Sequence, residues 1–461
     1  MLRKFTMGFV LSILYFITNY LTPTTIFGSF AAYRVELIFA ALIFFVSLPA
    51  LAGSLIWKTP QTLALVGLAF ATFMSVAIGA HWVGGGPSAF LSFIPNAFAY
   101  FLVCLHCNSK KKLQVLVLMM LFVCLFVIAQ GSIELQHGLP TSVDVQAANM
   151  DSSYFMGMRN DAGQWFYRLR GMGGINDPND FAQLIACVLP LVFIFWRPKK
   201  TLRNFAFVIL PVCALLYGSY LTHSRGGMLA LLAVAVVAAR RRIGTLPALL
   251  LVGVLFVASM ALHFTGGRDI SANAGEDRTA LWGESMQLLK SHPLFGVGFG
   301  NLPDYLGHTA HNTVMVCAAE LGLFGLYVWA LFLFPTVRDA LAIASPEKVS
   351  EGDVIVPDEA PFPEVSRKIE ALDKAEINRL GQLMVVSFTG FLVAGWFLSR
   401  AFVTTLFLLG GMTEVIFEMA LRRGMISSRL PFARVLRNSG VLAILLLLMM
   451  YIMLRIVNLT H

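Results

Sequence analysis

Four arginines stand in the polar stretches of a chain that is otherwise largely apolar. Arg168 and Arg170 lie in YRLRGMGG, Arg225 lies in THSRGG and Arg278 lies in DRTALW. A guanidinium group donates two parallel hydrogen bonds to phosphate oxygens, in a geometry that lysine does not offer. The choice of arginine therefore favours a site for a phosphorylated ligand.

Two histidines could supply acid–base chemistry. His308 and His311 follow the glycine-rich segment HPLFGVGFGN (292–301), and Asn312 comes next at the mouth of an apolar run. An imidazole serves as a general base near neutral pH, which makes His311 the first candidate and His308 the second. Capping of the following helix by His311 and Asn312 is the competing explanation. The glycines allow tight turns beside a ligand, but their spacing is not that of a dinucleotide site.

Three acidic residues accompany this set. Asp177 and Asp180 lie in NDPNDFA, whose composition is typical of a turn that caps a helix, and either carboxylate is an alternative base. They lack a third ligand at a recognisable spacing, so we predict no metal. Glu320 lies within apolar sequence, where a carboxylate needs a partner, and we expect it to orient the site or to bridge two helices.

The surroundings of Arg225 indicate that it lies at membrane depth. The apolar run after it has only 14 residues, from Gly226 to Ala239, or roughly 21 Å of helix against the roughly 30 Å of a hydrocarbon layer. Either the helix includes Arg225 or the bilayer is thin there. An arginine at that depth needs an anion or a water-filled cavity, which makes it a functional candidate.

The elements that position these residues are membrane spans. The chain has 461 residues, 57% hydrophobic and 13% charged, whereas soluble domains carry about 25% charged residues. Apolar runs long enough to cross a bilayer recur throughout, which predicts an all-α, polytopic transmembrane bundle of about 12–13 spans. The runs lie near 7–24, 35–57, 62–80, 88–107, 113–130, 179–196, 204–221, 226–239, 245–264, 313–335, 380–399, 401–421 and 439–457.

The basic residues set the orientation. Of the 34 lysines and arginines, 24 fall in alternate loops, which places the N-terminus in the cytoplasm and explains the positive charge without nucleic acid. Nine of the ten others are arginines, and for Arg34, Arg400 and Arg455 we favour snorkelling to the membrane surface.

The spans divide the chain into four parts, with two long periplasmic loops that we expect to contain short helices. One of these helices is amphipathic, over 278–291, and is predicted to lie on the membrane or to cap the bundle. The parts are a five-span bundle (1–130), a catalytic region (131–335) with loops 131–178 and 265–312, a cytoplasmic linker (336–379) and the C-terminal spans (380–461).

Taken in order, these segments resemble the O-antigen ligase and polysaccharide polymerase family of bacterial inner membranes. The likeness rests on RLRGMGGINDPNDFA, LTHSRGG, DRTALW, HPLFGVGFGN and AHNTVMVCAAELGLFGL, and it covers about residues 168–334. It implies an inverting glycosyltransferase that moves a glycan from undecaprenyl pyrophosphate to an acceptor hydroxyl on the periplasmic face. The acceptor is the lipid A core in ligases, another lipid-linked repeat unit in polymerases and a protein hydroxyl in some relatives, and we favour the ligase.

The resemblance also implies roles for residues. His311 matches the loop histidine proposed as base, Arg225 and Arg278 match arginines that hold pyrophosphate, and Arg170 is a weaker match. No metal, other cofactor or nucleotide sugar is implied. The remaining candidates for binding the pyrophosphate or supporting the loops are Arg168, His308, Asn312, Glu320, Asp177 and Asp180.

Two other classes of function are open from the residues alone. A flippase for the same lipid-linked glycan is expected to show internal repeats and a path of ionisable groups across the membrane. The predicted spans contain few acidic residues, among them Glu320, Glu414 and Glu418, and these are too few for such a path. The other class is a structural scaffold without catalytic activity, and that function would not explain the periplasmic arginines.

Overall fold

The computed structural model describes residues 6–22, 35–51, 54–137, 153–159, 163, 165–266, 273–345 and 363–460. Most of these residues are helical, and we number the helices α1–α15. They are α1 (Met7–Leu21), α2 (Val35–Leu51), α3 (Pro60–Gly79), α4 (Gly86–His106), α5 (Lys110–His137), α6 (Pro178–Val192), α7 (Thr201–Leu221), α8 (Arg225–Ile243), α9 (Thr245–Ala261), α10 (Asn273–Ser291), α11 (Leu302–Leu306), α12 (Thr313–Ala344), α13 (Pro363–Gly395), α14 (Thr404–Arg422) and α15 (Phe432–Thr460).

The helices confirm a polytopic transmembrane bundle. Within the described residues, nine helices are long and apolar enough to span a membrane, and three more apolar helices are shorter, in α1, α2 and α9. With α8, whose end carries Arg240, Arg241 and Arg242, this provides one helix for each predicted span. Helices dominate because a backbone in lipid must satisfy its own hydrogen bonds.

Helix α12 forms the centre of the bundle. It packs against α3, α13, α14 and α15, and most of its residues are buried. Other large contacts join α4 to α14 and α13 to both α6 and α8. By contrast, α9 buries only Ala248 and packs mainly on α8, so its apolar surface suits lipid.

Among its described residues, the first long loop contains a β-hairpin that we did not expect and a short 3₁₀-helix, Gly173–Ile175. Strand β1 (Phe155–Arg159) pairs antiparallel with β2 (Trp165–Leu169), with Phe155 opposite Leu169. The alternation in FYRL places Arg168 on one face and Leu169 against the hydrophobic core. The second long loop contains the helices α10 and α11. We call the end of the bundle that carries the hairpin, α10 and α11 the loop end.

The amphipathic helix of the second loop caps the bundle. Trp282, Met286 and Leu289 of α10 are buried, and the helix packs on α12. The Trp282 indole N–H donates to the carbonyl of Ala310 at 2.7 Å. Of the two arrangements predicted for this helix, the structure therefore has the one that covers the spans.

Helix α12 is broken at Gly322, where the backbone is left-handed (φ 70°, ψ −168°). The segment 293–298 fills the break: Val297 donates to the carbonyl of Ala319 at 2.9 Å, and Leu323 donates to that of Pro293 at 2.8 Å. Such irregular backbone is tolerated at membrane depth because it is buried in protein. The glycines of HPLFGVGFGN thus serve contacts within the chain, since a Cβ on Gly296 would lie 2.4 Å from backbone atoms of α12.

Candidate functional site

The turn Thr222–Ser224 places Arg225 as the first residue of α8. Ser224 is the N-cap, and its Oγ accepts from the Gly227 N–H at 3.1 Å. The same hydroxyl donates to Asn179 Oδ1 at 2.7 Å, which ties the start of α8 to the start of α6. The helix therefore begins at Arg225, and it continues through the basic cluster to Ile243, which makes up the length that the apolar run lacked.

Strand β2 delivers Arg168 to the same turn. Its Nε donates to the carbonyl of Thr222 at 2.9 Å, and its Nη2 donates to Asn179 Oδ1 at 2.8 Å. The residue is only 3% exposed. Because a buried guanidinium needs all its donors satisfied, these bonds fix the hairpin against the helix starts.

The guanidinium groups of Arg168, Arg225 and Arg278 interact electrostatically with one another. The pKa of Arg168 is lowered to about 10, mainly by burial; Asp177 raises it, and the cations Arg225 and Arg278 lower it. Burial and Arg225 likewise lower the pKa of Arg278. Like charges gathered in a half-buried region repel, and an anionic ligand would relieve that repulsion.

His311 interacts electrostatically with Arg278, one member of this arginine cluster (Arg168, Arg225 and Arg278). Burial lowers the pKa of its imidazole below the ordinary 6.5, as do Arg278 and His308, while Asp177 raises it. The ring is therefore neutral at neutral pH, which is the form that a general base requires. The backbone of His311 is left-handed (φ 49°), an arrangement that costs a non-glycine residue about 1–2 kcal/mol.

Asn312 and His308 differ in their surroundings. Asn312 is fully buried and caps α12, since its Oδ1 accepts from the N–H groups of Val314 at 2.9 Å and Met315 at 3.0 Å. The capping explanation thus applies to Asn312. His308 is exposed and acts on His311 through its charge.

Asp177 and Asp180 have different roles. Asp177 is the N-cap of α6, where its Oδ1 accepts from the Asn179 N–H at 2.7 Å, as the composition of the turn indicated. Its charge also acts on Arg168 and His311. Asp180 is buried and forms a two-pronged ion pair with Arg400.

That ion pair corrects our interpretation of Arg400. We expected it to reach the membrane surface, but it joins α6 to the segment between α13 and α14, and Asp177 also acts on its charge. Sequence gave no sign of this pairing because Asp180 lies 220 residues away. Arg455 stacks on Tyr451, and Arg34 lies outside the described residues.

Two further candidates support loops. Arg170 donates to the carbonyls of Ser153 at 3.2 Å and Asn176 at 3.4 Å. The buried Glu320 carboxylate accepts from the backbone N–H groups of Gly300 and Leu302. It therefore fastens the glycine-rich segment to α12.

The structure also adds residues that sequence reasoning missed, in the segment 396–400. Ser399 Oγ accepts from the His311 N–H at 2.9 Å, and the carbonyl of Trp396 accepts from Asn312 Nδ2 at 3.0 Å. No motif marks this segment, so only its contacts reveal it. Among the described residues, no group of three or more histidine, cysteine, aspartate or glutamate side chains is arranged to hold a metal.

Comparison with known proteins bears on the central part of this arrangement. The family model described as O-antigen ligase matches residues 210–330, and comparison with curated proteins finds no match. The matched region contains Arg225, Arg278 and His311, together with the α12 break that carries Glu320. This region of the chain is therefore similar to the O-antigen ligase family.

Proposed function

We propose that the protein is an inverting glycosyltransferase that transfers a glycan from undecaprenyl pyrophosphate to an acceptor hydroxyl, with the loop end in the periplasm. The ligase reaction, in which the acceptor is the lipid A core, is our first choice. The proposal rests mainly on one observation, which is that Arg168, Arg225 and Arg278 interact electrostatically with one another. Arg278 also interacts electrostatically with His311.

The arginine cluster suits a diphosphate. Pyrophosphate carries the negative charge that would offset the mutual repulsion of Arg225 and Arg278, and guanidinium groups bind its oxygens in pairs. The bond to be broken joins the sugar C1 to a phosphate oxygen. Charge grows on the departing pyrophosphate in the transition state, so cations already in place stabilise it more than they stabilise the bound donor.

His311 is suited to activate the acceptor hydroxyl as a general base. The acceptor hydroxyl attacks C1 from the face opposite the leaving group, its oxygen forms the new bond, and the imidazole takes its proton. Undecaprenyl pyrophosphate leaves with the electrons of the broken C1–O bond, and inversion follows. General base catalysis contributes about 10²–10⁴-fold.

Purified protein in liposomes, supplied with lipid-linked donor and lipid A core, tests the proposal. We expect transfer that persists in EDTA and that falls about 10²–10⁴-fold in His311→Ala. Arg225→Ala and Arg278→Ala should each lower kcat about 10²–10³-fold, because each removes a donor to the leaving group.

Matched controls are His137→Ala and Lys290→Ala, which remove an exposed imidazole and an exposed cation. Both should transfer at the wild-type rate. Wild-type rates in folded His311→Ala and Arg225→Ala protein would disprove the assignment. Movement of the lipid without a new glycosidic bond would indicate a flippase, and products longer by one repeat unit would indicate a polymerase.

A further inference from the structure

Each residue of the turn 310–313, which we call the histidine turn, is bound to another part of the chain. Ala310 accepts from the Trp282 indole at 2.7 Å, and His311 donates its N–H to Ser399 Oγ at 2.9 Å. Thr313 Oγ1 donates to the carbonyl of Leu398 at 2.8 Å and accepts from the N–H of Arg400 at 3.2 Å. The turn is thus held from α10 on one side and from 396–400 on the other.

The bonds to 396–400 act on different parts of the histidine turn. Those of Asn312 and Thr313 hold the start of α12, and both residues are buried. The bond from Ser399 acts on His311 itself, whose backbone is left-handed (φ 49°). A non-glycine residue keeps such a conformation only where its surroundings enforce it, and these conformations are common at functional sites.

We propose that Ser399 is a positioning residue, whose hydroxyl holds the His311 backbone left-handed and thereby keeps the imidazole beside the arginine cluster. The inference rests on the proposed role of His311 as base. It extends the site to residues 396–400, beyond the region 210–330 that the family model matches. A base displaced by about 1 Å loses up to 10²-fold in rate, so the hydroxyl matters for kcat.

The variants Ser399→Ala and Ser399→Thr separate positioning from folding. Asn312 and Thr313 keep their bonds in both, so the start of α12 remains fixed. We expect Ser399→Ala to lower kcat about 10- to 100-fold with little change in KM for the lipid-linked donor, and Ser399→Thr to restore the rate because it retains a hydroxyl. Ser387→Ala is the control, since Ser387 is a fully buried serine of α13 that donates to the carbonyl of Cys187 at 2.8 Å.

A second measurement does not depend on transfer. The pH dependence of His311 modification by diethyl pyrocarbonate, followed by mass spectrometry, reports the pKa of the ring. Arg278 from α10, Asp177 from the start of α6 and His308 from the same loop act on that ring, and burial together with Arg278 lowers its pKa. In Ser399→Ala the ring leaves these surroundings, so the midpoint should move up towards 6.5.

The inference is supported if Ser399→Ala both lowers kcat and raises the midpoint of His311 modification, and if Ser387→Ala does neither. An unchanged kcat, an unchanged midpoint or an equal loss in the control overturns the inference. Wild-type transfer by His311→Ala would instead remove the base role, and the midpoint would still decide whether Ser399 positions the ring.

Discussion

At the scale of single residues, the candidate site brings together the cations Arg168, Arg225 and Arg278. Asn179 Oδ1 accepts from both Arg168 and Ser224, so one amide orients a buried guanidinium and the cap of α8. Asp177 supplies negative charge near Arg168 and His311. Arg278 lowers the pKa of His311, and the sign of this effect can be measured.

We predict that Arg278→Gln moves the acid limb of the transfer rate to higher pH. His311 works as a base only when it is unprotonated, and Arg278 lowers its pKa, so removal of the cation raises the pKa and narrows the active range on the acid side. The pH–rate profile of the residual activity measures the midpoint. Lys290→Gln, which removes an exposed cation from the same helix, should leave the midpoint unchanged.

At the scale of elements, a broken helix and a glycine-rich segment act as one unit. The π-helical turn Ser75–Gly79 at the end of α3 contributes as well, since Ser75 Oγ accepts from the Phe299 N–H at 3.0 Å. A Cβ on Gly79 would lie 2.2 Å from the carbonyl oxygen of Gly296. The glycines are thus required by close backbone approach between α3, α12 and the segment 292–300.

Gly322→Ala tests this unit. The new Cβ would lie 2.4 Å from backbone atoms of Leu294 at a left-handed position, and we expect a loss of about 1–3 kcal/mol in the free energy of unfolding. Thermal unfolding in detergent measures it. Gly283→Ala is the matched control: it lies in α10 with nothing within 4 Å, so alanine there should be neutral or stabilise the helix by up to about 1 kcal/mol. Equal melting temperatures for the two variants would contradict the account.

At the scale of the whole molecule, the polar groups of the site gather at one end of an apolar bundle. The loop end carries the hairpin, α10 and the segment 396–400, and α8 begins there at Arg225. The opposite end of α8 carries Arg240, Arg241 and Arg242. Basic residues of multi-pass proteins concentrate on the cytoplasmic side, so the loop end should face the periplasm.

Cysteine labelling checks this orientation. Asp304→Cys in α11 and Arg241→Cys in α8 introduce thiols at exposed positions of opposite ends. In intact spheroplasts a membrane-impermeant maleimide should label position 304 above the wild-type background and leave position 241 unlabelled. Permeabilised cells should label both, and the reverse pattern in intact cells would place the site in the cytoplasm.

The sequence alone determined the class of fold and the chemistry of the candidates. Spans follow from local hydropathy, because about 20 apolar residues cross a bilayer only as a helix. Helix caps are equally local, which is why the turn at Asp177 was predicted correctly. Residue type likewise pointed to arginines for an anion and to a histidine for a base.

Only the tertiary structure decided which of these groups meet. The pairing of Asp180 with Arg400 spans 220 residues and the bond from His311 to Ser399 spans 88, and no periodicity encodes contacts at such separations. The role of the glycines in HPLFGVGFGN was also hidden, because it depends on the break in α12. Local patterns fix what a segment can form, whereas packing between distant segments fixes which side chains share a site.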